Sequence, residues 1–329
     1  MQIANSMKRD SRFDLVRATA IFIIVLSHFC SNMLGGVPGF FVLGSVGNAM
    51  FFMLSGLLLG LQWQKMDRVG FNASFIARRV VRIAPAYLTF VMIYLVLLYL
   101  AGGVDVKSMT IFANILMLGW FSELTGATHL WFMTALVIFY LLLFLLSRQS
   151  KRTFWTVSSV AVGVQGIMVV CGIPRAFSIG LFWAGCVCFL WSESIVRWIS
   201  QIRKKKLVVL VAILAFSLFD FMDVFHLFGS SMVVRYWLSV SVGAAVVAAL
   251  MCFRFESKIV GSLSLFSFEW YLVHYPFCAG PLCVQRWFGN SWLANVAFWL
   301  GSLIAAIVLH YVINLKPLRV LSRGHVSKK

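Results

Sequence analysis

The sequence predicts an all-α polytopic membrane protein with about ten transmembrane helices and one short re-entrant or interfacial segment. Three observations lead to this fold class. The chain of 329 residues is 61% hydrophobic and only 12% charged. Apolar runs of about 20 residues, the length that crosses the hydrocarbon of a bilayer, recur along nearly the whole chain. The net charge of +18 comes from basic residues in short segments between those runs, as in loops retained in the cytoplasm. Nucleic acid is therefore not an expected partner.

The first predicted span, residues 12–30 (RFDLVRATAIFIIVLSHFC), carries two ionisable side chains inside an apolar run. Ten residues separate Arg17 from His28, so on a helix the two side chains share one face and lie ~16 Å apart along it. Ionisable groups at membrane depth are costly, which makes this pair a candidate functional site. The structural alternative is that Arg17 extends to the lipid headgroups and that His28 is a packed, hydrogen-bonded histidine.

The second predicted span, residues 40–61, contains the sequence FFMLSG. Ser55 and Gly56 are small enough to let two helices approach closely, so helix packing explains this motif by itself. Basic residues at and before the start of the first span place the N-terminus in the cytoplasm, and the second span then returns the chain to that side.

Residues 62–82 are polar and basic, lead into the sequence ARRVVRIAPAY and are predicted to form a cytoplasmic loop. Arg78 and Arg82 are four residues apart, so on a helix they project from the same face. Guanidinium groups suit phosphate oxygens because they offer paired hydrogen-bond donors, which makes this a candidate phosphate site. An ordinary basic loop is the alternative. Pro85 then opens the third span, at a position that helices tolerate.

Three apolar stretches follow, at residues 83–100, 111–121 and 129–146. If all three crossed the membrane, the later basic segments would fall outside the cytoplasm. A re-entrant or interfacial segment at 111–121 returns every basic loop to the cytoplasm, and both termini with them. The remaining spans are predicted at residues 153–172, 177–198, 207–225, 232–253, 259–277 and 292–314. Residues 1–329 are expected to form one membrane-embedded domain with no appended soluble domain.

Three histidines from distant spans fall at a similar predicted depth: His28, His129 and His274. Each alone is more often a structural histidine, but their convergence favours a site, because histidine suits general base catalysis near neutral pH. Zinc also uses three histidines, yet no i, i+4 pair supports it, so no metal is expected. The seven cysteines have neither a disulfide framework nor zinc spacing and are expected to be packing residues.

Four segments carry motifs in a fixed order: FDLVRATAIFIIVLSH (13–28), GNAMFFMLSGLLLG (47–60), ARRVVRIAPAY (77–87) and LSLFSFEWYLVHYP (263–276). Together they resemble acyltransferase family 3 of integral membrane proteins. The first is the most specific, because the spacing from Arg17 to His28 is the family's signature. A fifth segment, HLWFMTALVIFYLL (129–142), matches more loosely, since apolar residues at 135–137 stand where many members carry acidic ones. Glu269 stands where a small or neutral residue is expected and has no assigned role.

This resemblance implies a bacterial inner-membrane enzyme that transfers an acyl group, usually acetyl from acetyl-CoA, to hydroxyls of a cell-surface glycan or lipid-linked glycan. It implies His28 as general base, or as a transient acyl carrier, and Arg17 at the thioester or pantetheine region. Three residues are expected to bind the phosphates of CoA: Arg78, Arg79 and Arg82. Five residues are expected to contact the acceptor: Ser55, His129, Trp131, Tyr271 and His274.

A second class of function also fits the residues. In a glycan-lipid flippase, or a transport or polymerase partner, Arg17 and His28 would line a transport path through the bilayer. Such a protein would not depend on an acyl-CoA. Both functions imply the lipid bilayer and a glycan as partners. Only the acyltransferase also implies acyl-CoA.

Overall fold

The computed structural model describes residues 10–35, 40–65, 73–101, 106–150, 178–224 and 232–314, with short pieces at 152–153, 155–157, 160, 165, 167 and 171. Within these residues the regular secondary structure is helical and includes no strand. The all-α fold class predicted from the sequence is therefore confirmed for this part of the chain.

The helices of the first half are α1 (Ser11–Met33), α2 (Phe40–Lys65), α3 (Ala73–Leu100), α4 (Ser108–Ile115) and, after a 3-10 turn at Thr128–Leu130, α5 (Trp131–Leu146). Those of the second half are α6 (Ser178–Leu190), α7 (Ser192–Gln201), α8 (Lys205–Val224), α9 (Met232–Met251), α10 (Lys258–Leu265), α11 (Ser267–Cys278), α12 (Gln285–Phe288) and α13 (Trp292–Asn314).

Six helices among the described residues are long and apolar enough to cross a membrane: Ser11–Met33, Leu43–Lys65, Ala77–Leu100, Thr128–Leu146, Val234–Met251 and Trp292–Asn314. The number becomes seven if the bent pair α6 and α7 counts as one span. These helices make the chain a multi-pass membrane protein. The full number of about ten spans stays a prediction.

Two predicted spans are not single helices. Within the stretch 177–198, α6 and α7 meet at an angle of 79°. The break follows from the sequence of α7, SESIVRWISQ, whose Glu193 and Arg197 are exposed while Ile199 is buried, as on an amphipathic helix. Within the stretch 259–277, α10 and α11 are separated at Phe266. There the hydroxyl of Ser267 donates to the carbonyl of Ser264 (3.0 Å), and such a side-chain bond competes with continued helix.

The stretch 111–121 contains the end of a short helix and a return of the chain. The eight residues of α4 rise only ~12 Å, far less than the thickness of the hydrocarbon. After α4 the chain turns at Met117, whose φ is +59°. The buried side-chain amide of Asn114 donates to the carbonyls of Thr110 and Ser122 (2.9 Å each) and so ties the returning segment of the chain to α4. The re-entrant or interfacial position of this segment stays a prediction.

The described chain divides into two compact units. Unit 1 holds residues 10–24, 40–62 and 178–267; unit 2 holds residues 25–35, 63–65, 73–101, 106–150 and 268–314. Helix α1 contributes its first part to unit 1 and its last part to unit 2. The single membrane-embedded domain expected from the sequence stays a prediction.

In unit 1, glycines bring α2 against α6. A Cβ atom on Gly56 would overlap the carbonyl oxygen of Gly185, and one on Gly60 would overlap the carbonyl oxygen of Phe189. The two helices therefore pack backbone against backbone, which is the close approach expected from the small residues of the second span. In unit 2, α3 packs against α5 and α13.

Candidate active site

Three histidine rings from three separate elements meet in unit 2. His28 lies on α1, His129 on the 3-10 turn before α5, and His274 on α11. The ring of His274 lies 5.3 Å from that of His28 and 5.3 Å from that of His129, centroid to centroid. The sequence placed these residues at similar depth, and the structure brings their rings into contact. We call these three residues the histidine cluster.

Tyr275 completes the cluster and was not among the residues expected from the sequence. Its ring meets His28 edge-on at 4.8 Å and stacks on His129 at 4.9 Å, measured between centroids. It also meets the ring of His274 edge-on at 6.2 Å, so it contacts all three imidazoles. The only signal for it in the sequence is its place directly after His274, in the segment LVHYP.

His129 is held by α11 at both its ring and its backbone. Its Nε2 lies 2.9 Å from the carbonyl oxygen of Leu272, and its own carbonyl accepts a hydrogen bond from the Tyr271 hydroxyl (2.7 Å). A carbonyl oxygen can only accept, so the neutral imidazole carries its proton on Nε2. Its Nδ1 is then an unprotonated acceptor, and it has no hydrogen-bond partner among the described residues although it is buried.

His274 has the opposite tautomer. Its Nδ1 lies 2.8 Å from the carbonyl oxygen of Tyr271 and 3.1 Å from that of Trp270, so Nδ1 carries the proton in the neutral ring. The remaining nitrogen, Nε2, is a buried acceptor for which the described part of the chain supplies no donor. A buried polar atom without a partner costs about 1–3 kcal/mol, so the two orphan nitrogens of the cluster favour a ligand that brings hydrogen-bond donors.

His28 is half-buried and is fixed by packing. In the described structure its imidazole makes ring contacts with His274 and Tyr275 but no hydrogen bond. Its backbone carbonyl accepts from the amide of Asn32 (3.0 Å). The neighbouring Phe29 packs against Phe298 of α13, with 5.2 Å between ring centroids, and holds this turn of α1 in place. The imidazole of His28 is thus positioned by packing rather than by a hydrogen bond within the described residues.

Two glycine turns lie beside the cluster, one before His129 and one after α11. Gly126 and Gly280 both have positive φ, +69° and +77°. A Cβ atom on Gly280 would overlap the Cα of Gly126, so the two turns touch through their backbones. The Tyr94 hydroxyl donates to the carbonyl of Thr125 (2.7 Å) and ties α3 to the same turn. These contacts fix the chain on either side of the histidine rings.

Two further residues are expected at the acceptor. Trp131 has ring contacts with Trp120, at 5.7 Å, and with Phe132, at 6.1 Å between centroids. Ser55 belongs to α2 in unit 1 and is not a member of the histidine cluster. Their proposed contacts with an acceptor stay predictions.

Arg17 is part of a polar triad in unit 1. Its Nη1 donates to the hydroxyl of Ser264 (3.1 Å) and lies 3.6 Å from a carboxylate oxygen of Asp14. The Ser264 hydroxyl donates in turn to that same Asp14 oxygen (2.7 Å). Asp14 is buried, so Arg17 stabilises a carboxylate that would otherwise be costly in an apolar setting. Asp14 was missed from the sequence, although its place three residues before Arg17 puts both on one helix face.

The three arginines of α3 are disposed around its first turns. Arg78 and Arg82 are exposed and, within the described residues, neither forms an ion pair with a carboxylate. Arg79 is half-buried, and its guanidinium lies 5.2 Å from the centre of the Phe75 ring, a cation–π distance. The guanidinium of Arg78 lies 5.9 Å from the same ring. The positive charges of Arg78 and Arg82 are therefore available to an external anion.

Glu269, which had no assigned role, pairs with a histidine of α13. Its Oε1 lies 2.9 Å from Nδ1 of His310, and its side chain is only 7% exposed. Its Oε2 is buried without a hydrogen-bond partner among the described residues. Next to it, the indole of Trp270 donates to the hydroxyl of Ser302 (3.1 Å), so polar contacts join α11 to α13 at two adjacent positions.

Comparisons with known proteins give one match. A family model described as an acyltransferase domain matches residues 10–315. The comparisons with curated proteins and with solved structures found no match. The matched range includes the histidine cluster, the Arg17 triad and the arginines of α3.

Proposed function

The chain belongs to acyltransferase family 3, and from this premise we propose that it transfers an acetyl group from acetyl-CoA to a hydroxyl of a cell-surface glycan. O-antigen, capsule and exopolysaccharide are the proposed classes of acceptor. One observation supports this proposal most strongly. Three imidazoles are in ring contact in unit 2, and two of them keep an unprotonated nitrogen that has no partner among the described residues.

His28 is the proposed general base. As the acceptor oxygen attacks the thioester carbonyl, a C–O bond forms and the imidazole takes the hydroxyl proton. The C–S bond then breaks, and the CoA thiolate receives that proton, so the imidazole returns to its neutral form. A transient acyl-imidazole on His28 is the alternative course of the same reaction. His28 fits the base role because packing, rather than a hydrogen bond, holds its ring.

The acceptor is proposed to hydrogen-bond with His129 and His274. Two sugar hydroxyls beside the one that is acetylated supply the donors that His129 Nδ1 and His274 Nε2 lack. Tyr271 is proposed to hold His129 in place for this contact, because its hydroxyl donates to the carbonyl of His129. An acceptor rich in hydroxyls fits this group of atoms better than a carboxylate, which brings acceptors only.

The arginines of α3 are proposed to bind the phosphates of CoA. Arg78 and Arg82 are exposed cations, and charge-assisted hydrogen bonds to phosphate are about twice as strong as neutral ones. The contribution of Arg17 to the thioester or pantetheine region, the bacterial inner membrane as location and the cytoplasmic termini belong to the same proposal.

The test is a reconstituted reaction. The purified protein in lipid nanodiscs is mixed with acetyl-CoA and a lipid-linked glycan, and mass spectrometry follows the glycan while a thiol reagent follows released CoA. We expect one acetyl group to appear on the glycan for each CoA released. A flippase or transport partner would leave the glycan mass and the CoA thioester unchanged, and that result would refute the proposal.

In cells, the matching observation is the surface glycan with and without the gene. Loss of an acetyl ester from the glycan, restored when the gene is supplied again, is the expected result. A glycan that changes in chain length or amount but not in acetylation would favour the transport function instead.

A further inference from the structure

Helix α11 contains a proline one turn after a residue that contacts the histidine cluster. Pro276 lies inside the helix Ser267–Cys278. In an α-helix each carbonyl accepts from the backbone N–H four residues further on. Proline has no N–H, so the carbonyl of Leu272 lacks the donor that an uninterrupted helix would place four residues further on.

That carbonyl is the one that binds His129. His129 Nε2 lies 2.9 Å from the Leu272 oxygen, and Leu272 is fully buried. Bulk solvent therefore does not reach this carbonyl. The imidazole takes the place of the missing N–H, so the proline in α11 and the ring on the 3-10 turn form one arrangement.

The bond decides where His129 carries its proton. Because the Leu272 oxygen can only accept, it selects the neutral ring with the proton on Nε2. The other nitrogen, Nδ1, is left as a basic atom without a partner in the described structure. The Tyr271 hydroxyl donates to the backbone carbonyl of His129 at 2.7 Å and so fixes the backbone of this residue against α11.

We propose that Pro276 is a positioning residue for acyl transfer. It frees the Leu272 carbonyl, which holds His129 as the Nε2–H tautomer. The Nδ1 atom of His129 is then left to accept a hydrogen bond from a hydroxyl of the acceptor glycan. Only the identity of the acceptor in this proposal rests on the proposed function. The tautomer and its cause are properties of the unliganded protein. Pro276 itself does not touch the reacting atoms.

A proline that merely bends the helix would have a different effect. Bending concerns the direction of α11 and predicts no particular tautomer of His129. With Pro276→Ala, an N–H at position 276 regains the Leu272 carbonyl and competes with His129 for it. The proposal therefore predicts that this variant loses the Nε2–H preference, so that His129 populates both tautomers.

The experiment is nitrogen NMR of the full-length protein labelled on histidine and held in nanodiscs without substrate. A protonated and an unprotonated ring nitrogen differ widely in shift, and a His129→Asn variant assigns the signals. In the wild type we expect one His129 species, protonated on Nε2; protonation on Nδ1 would overturn the proposal. Apart from the His129→Asn variant that assigns the signals, this measurement uses the wild-type protein, and it requires no acyl transfer.

Pro276→Ala is then compared with Pro85→Ala, which removes the internal proline of α3 instead. We expect mixed His129 tautomers only in Pro276→Ala, together with at least a tenfold lower kcat for glycan acetylation and unchanged acetyl-CoA binding. An unaltered His129 spectrum in Pro276→Ala would overturn the proposal, whatever the activity. A changed spectrum with wild-type kcat and KM would keep the tautomer device and overturn its role in acyl transfer.

Discussion

The imidazole of His28 lies 5.3 Å from the imidazole of His274, centroid to centroid, although one belongs to the first helix and the other to α11. His28 has no hydrogen bond from its ring within the described residues, whereas His274 is fixed through its Nδ1. One ring of the pair is thus held by packing and the other by a carbonyl. This difference separates a base that exchanges a proton from a neighbour that accepts a hydrogen bond.

The glycine turns beside the cluster predict a large effect of a single methyl group. Gly280→Ala should destabilise the protein by more than the roughly 1–2 kcal/mol of a left-handed backbone, because its Cβ would also overlap Gly126. Gly289→Ala is the matched control, since it too has positive φ, +62°, but open space around it. Thermal unfolding in detergent measures both. Equal losses for the two variants would mean that the contact between the turns contributes nothing.

The arginines of α3 predict a salt-sensitive loss of donor binding. Arg78→Ala and Arg82→Ala should each weaken acetyl-CoA binding by about 1.5–3 kcal/mol, because a charge-assisted hydrogen bond to phosphate is lost. Calorimetry on purified protein at two salt concentrations provides the measurement, and wild-type binding should itself weaken at the higher one. Arg203→Ala, an exposed arginine elsewhere with the same loss of charge, should bind normally. If the double variant binds as the wild type does, the arginines only orient the chain.

The pair of Glu269 and His310 predicts strong non-additivity. His310→Leu should lower the melting temperature sharply, because it leaves a buried carboxylate without its partner, at a cost of about 3–5 kcal/mol for a buried pair. Glu269→Leu combined with His310→Leu should restore much of that loss, since two apolar side chains replace the pair. A double variant whose stability is the simple sum of the two single variants would show that the contact carries no coupling.

The predicted topology is open to a labelling test. With about ten spans, a cysteine placed at Arg148 lies in the cytoplasm, because the stretch 111–121 does not cross the membrane. A membrane-impermeant thiol reagent should therefore label it in inverted vesicles and not in intact cells whose outer membrane has been opened. Labelling in intact cells would contradict the predicted number of membrane crossings. The eight residues of α4 are too few to span the bilayer, which favours labelling from the cytoplasmic side.

Several features could be predicted from the sequence because they depend on local pattern. The apolar runs gave the all-α membrane class, and the depth of the three histidines in those runs led to the cluster. The residues that escaped prediction are those whose partners are remote in the chain. Glu269 became interpretable only through His310 on α13, and Tyr275 only through its contacts with His28 and His129. Asp14 is the exception, since its spacing from Arg17 was visible.

The breaks between helices within single apolar runs could not be predicted from the sequence either. The run 177–198 is apolar enough for one span, yet it bends by 79°. Hydropathy averages over the whole run and hides the amphipathic character of the helix that begins at Ser192, SESIVRWISQ. In the same way, Pro276 was visible within the motif, but the fate of the Leu272 carbonyl depends on where His129 lies in three dimensions.

The most direct test of the central claim is glycan acetylation by His28→Ala at matched membrane protein levels, with Ser262→Ala, an exposed serine of α10, as control. Loss of a general base should lower the rate by about 10²- to 10⁴-fold. Acetyl-CoA binding and melting temperature should stay close to those of the wild type, because the ring of His28 makes no hydrogen bond within the described structure that its loss would leave unpaired. Normal acetylation by His28→Ala would contradict the account.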